Sequence, residues 1–337
     1  MALPEPVREP KALRAWTPGS LWARLHAVEP RRYVVYVAFL LIFVFFAVTL
    51  QDDGFLSETN LLNIVRQTTP VTVMAVAVVF VLSAGEIDLS LGAVVALAAL
   101  VTADVMQSHS AVLAVAAGLG VGLGIGAVNG LFVTLLRLPS FLVTLATLGL
   151  VAGLARTITN LESVAVENQG FVNIFGSGNV GPIPGLAFWA LGAVAVGQFF
   201  FRHKRFGAHV VAIGDNAGAA RATGIRVDRV RVGVLVLSGA SAAVAGILYT
   251  GRLQAANYTL GEQDLLTVIA AVVIGGTRLF GGAGSIIGAL VGSLLMGMLT
   301  NGLILWGLSS SEQMVSQGVL LLLAISLTLR EPRGSSR

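Results

Sequence analysis

Apolar residues run along this chain in long blocks, and polar residues fall between the blocks. About ten blocks can be marked, over residues 33–50, 65–82, 91–107, 111–136, 139–158, 185–203, 231–251, 265–277, 285–305 and 313–330. The stretches Val34 to Leu50 and Val232 to Tyr249 carry no charge. Each approaches the ~20 residues an α-helix needs to cross a hydrocarbon core. The pattern predicts an all-α fold, a polytopic transmembrane helix bundle of about 10 spans (8–10). The lower count applies if the short or glycine-flanked blocks are re-entrant pieces.

Charge then orients the bundle. Only 11% of residues are charged and 55% are hydrophobic, whereas a soluble domain carries about a quarter charged residues. The basic excess does not indicate a nucleic-acid partner, because Lys and Arg of membrane proteins gather on the cytoplasmic side. With the N-terminus inside, alternating spans place there the six basic residues before residue 33, Arg137, the seven from Arg202 to Arg231, Arg278, and Arg330, Arg333 and Arg337. That is 18 of the 21 Lys and Arg. Only Arg66, Arg156 and Arg252 fall outside, in the company of Asp52, Asp53, Glu58, Asp104, Glu162, Glu167, Glu262, Asp264 and Glu312. Both termini are therefore expected in the cytoplasm. No A-x-A-like cleavage site follows Leu50, so Tyr33 to Leu50 reads as a retained first span rather than a signal peptide. Before it, Ser20 can cap an interfacial elbow helix carrying Leu21, Trp22 and Leu25; a disordered basic tail is the alternative.

Glycine recurs with helical spacing at Gly118, Gly122, Gly126 and Gly130, with Gly120 and Gly124 on a second row, and again at Gly284, Gly288 and Gly292. Small residues at this spacing let helix backbones approach closely in lipid. Packing within one subunit and contact between subunits are both consistent with it.

Several chemistries are excluded. The two lysines, Lys11 and Lys204, do not follow a glycine, so no P-loop exists to hold nucleotide phosphates. The G-x-G-x-x-G match at Gly176, Gly178 and Gly181 opens no helix, because Pro182 and Pro184 follow. His26, His109, His203 and His209 are isolated, so no metal cluster is expected. No Ser-His-Asp constellation can be built, and with no cysteine there is no thiol chemistry or disulfide framework. No catalytic residues and no bound cofactor are expected in this chain.

The loop 202–231 is the longest polar segment on the inner side. Asp215 or Asn216 is a good N-cap, alanines follow, and Gly224 suits a left-handed C′ position. A helix of about two turns is expected there, too short to persist alone in water. It is either an ordinary basic loop or a small Ala-rich element that fits a partner's groove.

At this point the sequence resembles the sugar permeases of ABC importers, of the ribose, xylose and galactoside type. Ala219-Ala220, three residues and Gly224 is similar to the coupling helix that such permeases present to their ATPase. Four blocks extend the resemblance: Gly85 to Gly92; Asn129-Gly130-Leu131 running to Pro139 to Leu145; Gly207 to Ile225; and Ile269 to Thr277 with Gly281 to Ser285. Together they cover roughly residues 35–330, and Glu86 departs from the pattern, where glycine is expected. The resemblance implies a cytoplasmic basic tail (1–32), one transmembrane permease domain (33–330) with a coupling loop (202–231), and a cytoplasmic tail (331–337). It implies coupling to the ATPase through Asp215, Asn216, Ala219, Ala220, Arg221, Gly224 and Ile225. It also implies ATPase subunits carrying ATP-Mg, an extracytoplasmic sugar-binding protein, a second permease subunit and a place in the bacterial inner membrane. Nucleosides or branched-chain amino acids are the alternative cargo. An ion-coupled transporter would need buried ionisable groups near the midplane, and only Glu86 and Asp88 are on offer.

A sugar path needs hydroxyl partners and some aromatic surface. The candidates are Glu86, Asp88, Ser90, Asn129, Phe141, Thr144 and Asn301, with Thr68, Thr69, Thr72 and Thr147 behind them. Asp88 has a simpler reading, as the cap of the span that follows it.

Overall fold

A computed structural model provides the structure, which describes residues 34–329. The expected elbow helix and both expected tails lie outside the described residues. Every apolar block is a helix: α1 Val34–Thr49, α2 Glu58–Ser83, α3 Leu91–Ser108, α4 Ala111–Leu135 and α5 Ser140–Ile158, then α7 Gly185–His203, α9 Val227–Leu253, α10 Asp264–Ile274, α11 Ile286–Leu305 and α12 Ser310–Leu329. Two further helices lie between blocks, α6 Gln169–Phe175 and α8 Arg205–Ala222. The fold is an all-α, multi-pass membrane bundle.

Seven helices, α2, α3, α4, α5, α7, α9 and α11, are long and apolar enough to cross a membrane. Two of the remaining blocks are shorter apolar helices, α1 and α10. α10 has 11 residues and rises only about 16 Å, half of a ~30 Å hydrocarbon core. It gives way at Gly275 and Gly276 to irregular backbone that reaches α11. Non-helical backbone at membrane depth is tolerated only where protein or water covers it, and here α11 lies alongside.

Local signals set the helix ends. The Ser57 hydroxyl accepts from the Asn60 amide at the start of α2, Ser110 from Leu113 at α4, and Ser285 from Gly288 at α11. Pro139 and Pro184 immediately precede α5 and α7, where a fixed φ and a missing N–H do no harm.

The centre is α2, α3 and α9, with α4 laid across α3 and α9. The glycine row of α4 makes that contact. Gly118 faces Thr102 of α3, while Gly122, Gly126 and Gly130 face Gly239, Leu235 and Val232 of α9. Gly288 and Gly292 bring α11 against Gly275 and Ala271 in the same way. The spacing thus serves packing within this chain. Gly120 and Gly124, on the second row, have open space around them.

Side-chain contacts sort the loops to two ends. At one end lie the 84–90 connection, the start of α5, the loop after α10 and α8. At the other, Gln107 donates to the Ala165 carbonyl, Arg66 reaches Asn179, and β1 (Val164–Ala165) pairs antiparallel with β4 (Ala255–Ala256). The glycine motif of residues 176–181 lies at this second end. Gly176 ends α6 against Gly251, and Gly181, at φ +62°, turns the small hairpin of β2 (Asn179–Val180) and β3 (Ile183–Pro184). No phosphate cradle is built there.

Candidate functional site

The segment expected to be a short helix is the second half of α8. Asn216 has non-helical angles (φ −156°, ψ 99°), which break α8 into two pieces. Its Oδ1 accepts from the Ala219 amide at 2.9 Å, so Asn216, not Asp215, is the N-cap. At the other end the Ile225 amide donates to the Ala220 carbonyl (3.1 Å) and the Gly224 amide to the Arg221 carbonyl (3.0 Å). With Gly224 at φ +87°, this is a complete Schellman termination. Residues 217–222 are thus capped at both ends. Arg221 also pairs with Asp228 on the first turn of α9 at 3.2 Å.

Successive residues of a helix point about 100° apart, so Ala219 and Ala220 do not share a face. Ala219, Arg221 and Gly224 are exposed, and Ile225 is half-buried. Ala220 is 5% exposed and packs into the main core. Of the two alanines expected to couple to the ATPase, Ala219 faces outward and Ala220 anchors the segment.

The first half of α8, which the sequence reading treats as loop, seats the segment on the bundle. Gly214 lies against the Ser83 carbonyl and the backbone of Gly281 and Gly282, and a Cβ there would run into all three. The Gly282 amide donates to the same Ser83 carbonyl at 3.1 Å.

Behind this seat runs a buried polar seam. Residues 84–90 leave α2 without helical structure, turned at Gly85 (φ +77°), and climb along the first turns of α5. The Ile87 amide donates to Ser140 Oγ and the Leu89 amide to Thr144 Oγ1, both at 3.0 Å. Asp88 Oδ1 accepts from the Ser90 amide (2.9 Å) and hydroxyl (2.6 Å). Asn129 Nδ2 donates to Ser90 Oγ (3.0 Å), and Thr147 donates to Asn129 Oδ1 (2.7 Å). Asp88 therefore sits two residues before the N-cap Ser90, where a carboxylate suits the positive end of α3. Glu86 is buried and faces Arg231 of α9, with Nε to Oε1 at 2.7 Å.

Of the path candidates, the structure brings Glu86, Asp88, Ser90, Asn129 and Thr144 into this one seam, where each has a partner within the chain. Asn301 lies apart and exchanges two amide hydrogen bonds with Asn60, at 2.9 and 3.0 Å. Thr72 meets Ser293 of α11 at 2.7 Å. Thr69 donates to the Leu186 carbonyl, and Thr68 to its own helix at Ile64. Phe141 points outward and is 46% exposed. Sequence reasoning missed Ser140, Gly214 and Arg231. Arg231 lies one turn into the apolar run of α9, and a basic residue there is a signal that a buried acid such as Glu86 stands opposite.

Asn129→Leu keeps the branching and heavy-atom count of the side chain and removes the link between α3 and α5. An interhelical hydrogen bond in a bundle contributes about 1 kcal/mol, so the melting temperature in detergent should fall by roughly 2–4 °C. Adding Thr147→Val should then cost almost nothing more. A full additive loss in the double variant would show that the two side chains do not interact.

Over residues 60–325 the chain matches the family described as the permease component of branched-chain amino acid transport systems. It is 38% identical to the ribose import permease of Escherichia coli (strain K12) over 291 residues, covering 85% of this chain and 90% of that protein. It is 32% identical to the L-arabinose ABC transporter permease of Azospirillum brasilense over 91% of this chain and 88% of that one. With the xylose transport permease of Haemophilus influenzae it shares 30% identity over 90% of this chain and 97% of that one. No solved structure gives a significant match. These matches, over most of a multi-pass helical bundle, show that the chain belongs to the family of permease components of ABC transporters.

Proposed function

We propose that this chain is the membrane-spanning subunit of an ATP-driven importer for a five-carbon sugar. The observation that carries this reading is the twice-capped segment 217–222, which presents Ala219 and Arg221 outward from the basic end of the bundle. An exposed element held in one shape by both caps and by a buried alanine suits docking by a separate protein. The cargo follows from the relatives, whose names specify ribose, L-arabinose and xylose. In this reading the 217–222 end faces the cytoplasm with both termini, in the bacterial inner membrane. ATP-Mg belongs to ATPase subunits docked on the segment, a binding protein delivers the sugar from outside, and two permease subunits enclose the path. A pre-captured sugar needs only a weak site within the permease, so a sparse polar lining suffices.

Two experiments test it. The chain has no cysteine, so Ala219→Cys creates a single thiol. An impermeant maleimide should label it in inside-out vesicles and not in intact cells; labelling from outside would sink the orientation. In proteoliposomes carrying the permease, its ATPase and its binding protein, uptake of a labelled pentose should require ATP and survive a protonophore. ATP-independent uptake that collapses with the proton gradient would refute the reading. Uptake of leucine in place of pentose would move the cargo to the class for which the family is named.

A further inference from the structure

Both ends of the capped segment are tied to one short stretch of chain, residues 83–90. At the entry, Gly214 rests on the Ser83 carbonyl and on Gly281 and Gly282, with no room for a side chain. At the exit, α9 begins at Val227, and Arg231 on its second turn holds Glu86 at 2.7 Å. The same stretch is bonded onward to α5, through Ser140 and Thr144. Helical rods packed by their side chains can slide past one another. A non-helical strand bonded to α5 along one edge and held by close packing and an ion pair at the other is displaced as a unit.

Glu86 forms an ion pair in this arrangement. Its side chain is 6% exposed, against 32% for Arg231. A carboxylate withdrawn from water is strongly disfavoured unless a cation stays in register with it. The pair therefore couples the position of α9, and of the segment leading into it, to the position of residues 84–90.

We propose that residues 83–90 are the transmission element between the docked ATPase and α5, with Glu86 and Arg231 as its positioning pair. Displacement of the 217–222 segment carries Gly214 and the first turns of α9 with it. Through Ser83 and Glu86 these shift the strand, and through Ser140 and Thr144 the strand shifts α5. The inference rests on the proposed docking of an ATPase at 217–222.

The test uses the importer reconstituted in proteoliposomes, with ATP hydrolysis and pentose uptake measured on the same sample. Glu86→Gln preserves shape and removes the charge. Sugar moved per ATP should fall about tenfold, within the usual range of coupling between sites, while basal hydrolysis is retained. Exchanging the pair, Glu86→Arg with Arg231→Glu, should restore most of the ratio. A merely structural role lowers uptake and hydrolysis together, in proportion to folded protein, and leaves the ratio at the wild-type value. That result overturns the proposal. Should Glu86→Gln yield no folded protein, the exchanged pair decides: a restored ratio supports the coupling, and a folded but uncoupled pair overturns it. If the wild-type chain captures no ATPase, the functional reading itself falls, and this inference with it.

Discussion

Gly126→Val should abolish folded, extractable protein, while Gly124→Val, two residues away on the same helix, should leave it intact. Gly126 lies against the Leu235 carbonyl and Val236 Cα of α9, so any side chain there meets backbone. Gly124 has nothing within 4 Å of the position a Cβ would take. Overpacking typically costs about 1–3 kcal/mol where side chains can yield. Backbone cannot yield unless the two helices separate, so a cost at or above the top of that range is expected. In lipid the loss is not offset by hydrophobic burial, since association between helices rests on close packing itself. Gly124→Val removes a residue of poor helix propensity and should be neutral or slightly stabilising for the single chain. Size-exclusion profiles and melting in detergent read both variants. A monodisperse, normally melting Gly126→Val protein would refute the α4–α9 packing described above. Should Gly124→Val fold but fail to transport, the open row of α4 would be assigned to a contact outside this chain.

That pair of outcomes also marks how far the sequence could be read. The spacing of glycines on α4 announces a close approach, but both rows have the same spacing. Only the position of α9 decides which row is filled, and α9 lies over a hundred residues away in the chain. The ten helices were legible because each apolar block is nearly uniform, so no partner is needed to recognise it. The cap at Gly224, and the N-cap to within the pair Asp215 and Asn216, were legible for a related reason, since capping is settled by hydrogen bonds within one turn. The first half of α8 was not, because Gly207 and Gly214 weaken its local propensity and tertiary contacts hold it. Nor was α6, a seven-residue helix capped by Asn168 within what reads as loop. The polar seam was only half legible. Asp88, Ser90, Asn129 and Thr144 stand out as polar residues in apolar surroundings, which marks them as important without saying for what. Their hydrogen bonds to one another, across three helices, are the missing information. The departure at Glu86 had no sequence explanation until Arg231 was placed against it.

The second large effect separates the two alanines that the sequence could not tell apart. Ala219→Glu should leave the chain folded and reduce ATP-driven pentose uptake at least about tenfold, the consequence of some 1.4 kcal/mol lost at the docking surface. The change adds bulk and an uncompensated charge to the outward face of a short helix whose shape the caps fix. A carboxylate buried unpaired at an interface commonly costs about 2–5 kcal/mol, so the ATPase should also fail to co-purify. Ala220→Glu acts elsewhere. Its side chain would enter the main core, where Ala220 is nearly closed off from solvent. There a charge meets apolar neighbours and must neutralise itself or open the packing. The melting temperature should therefore drop for Ala220→Glu and hold for Ala219→Glu, with transport impaired in both. The discriminating sample is Ala219→Glu, because its defect cannot be attributed to the fold. Full uptake in that variant, with the ATPase still bound, would remove segment 217–222 from the docking surface and leave its two caps without a functional explanation.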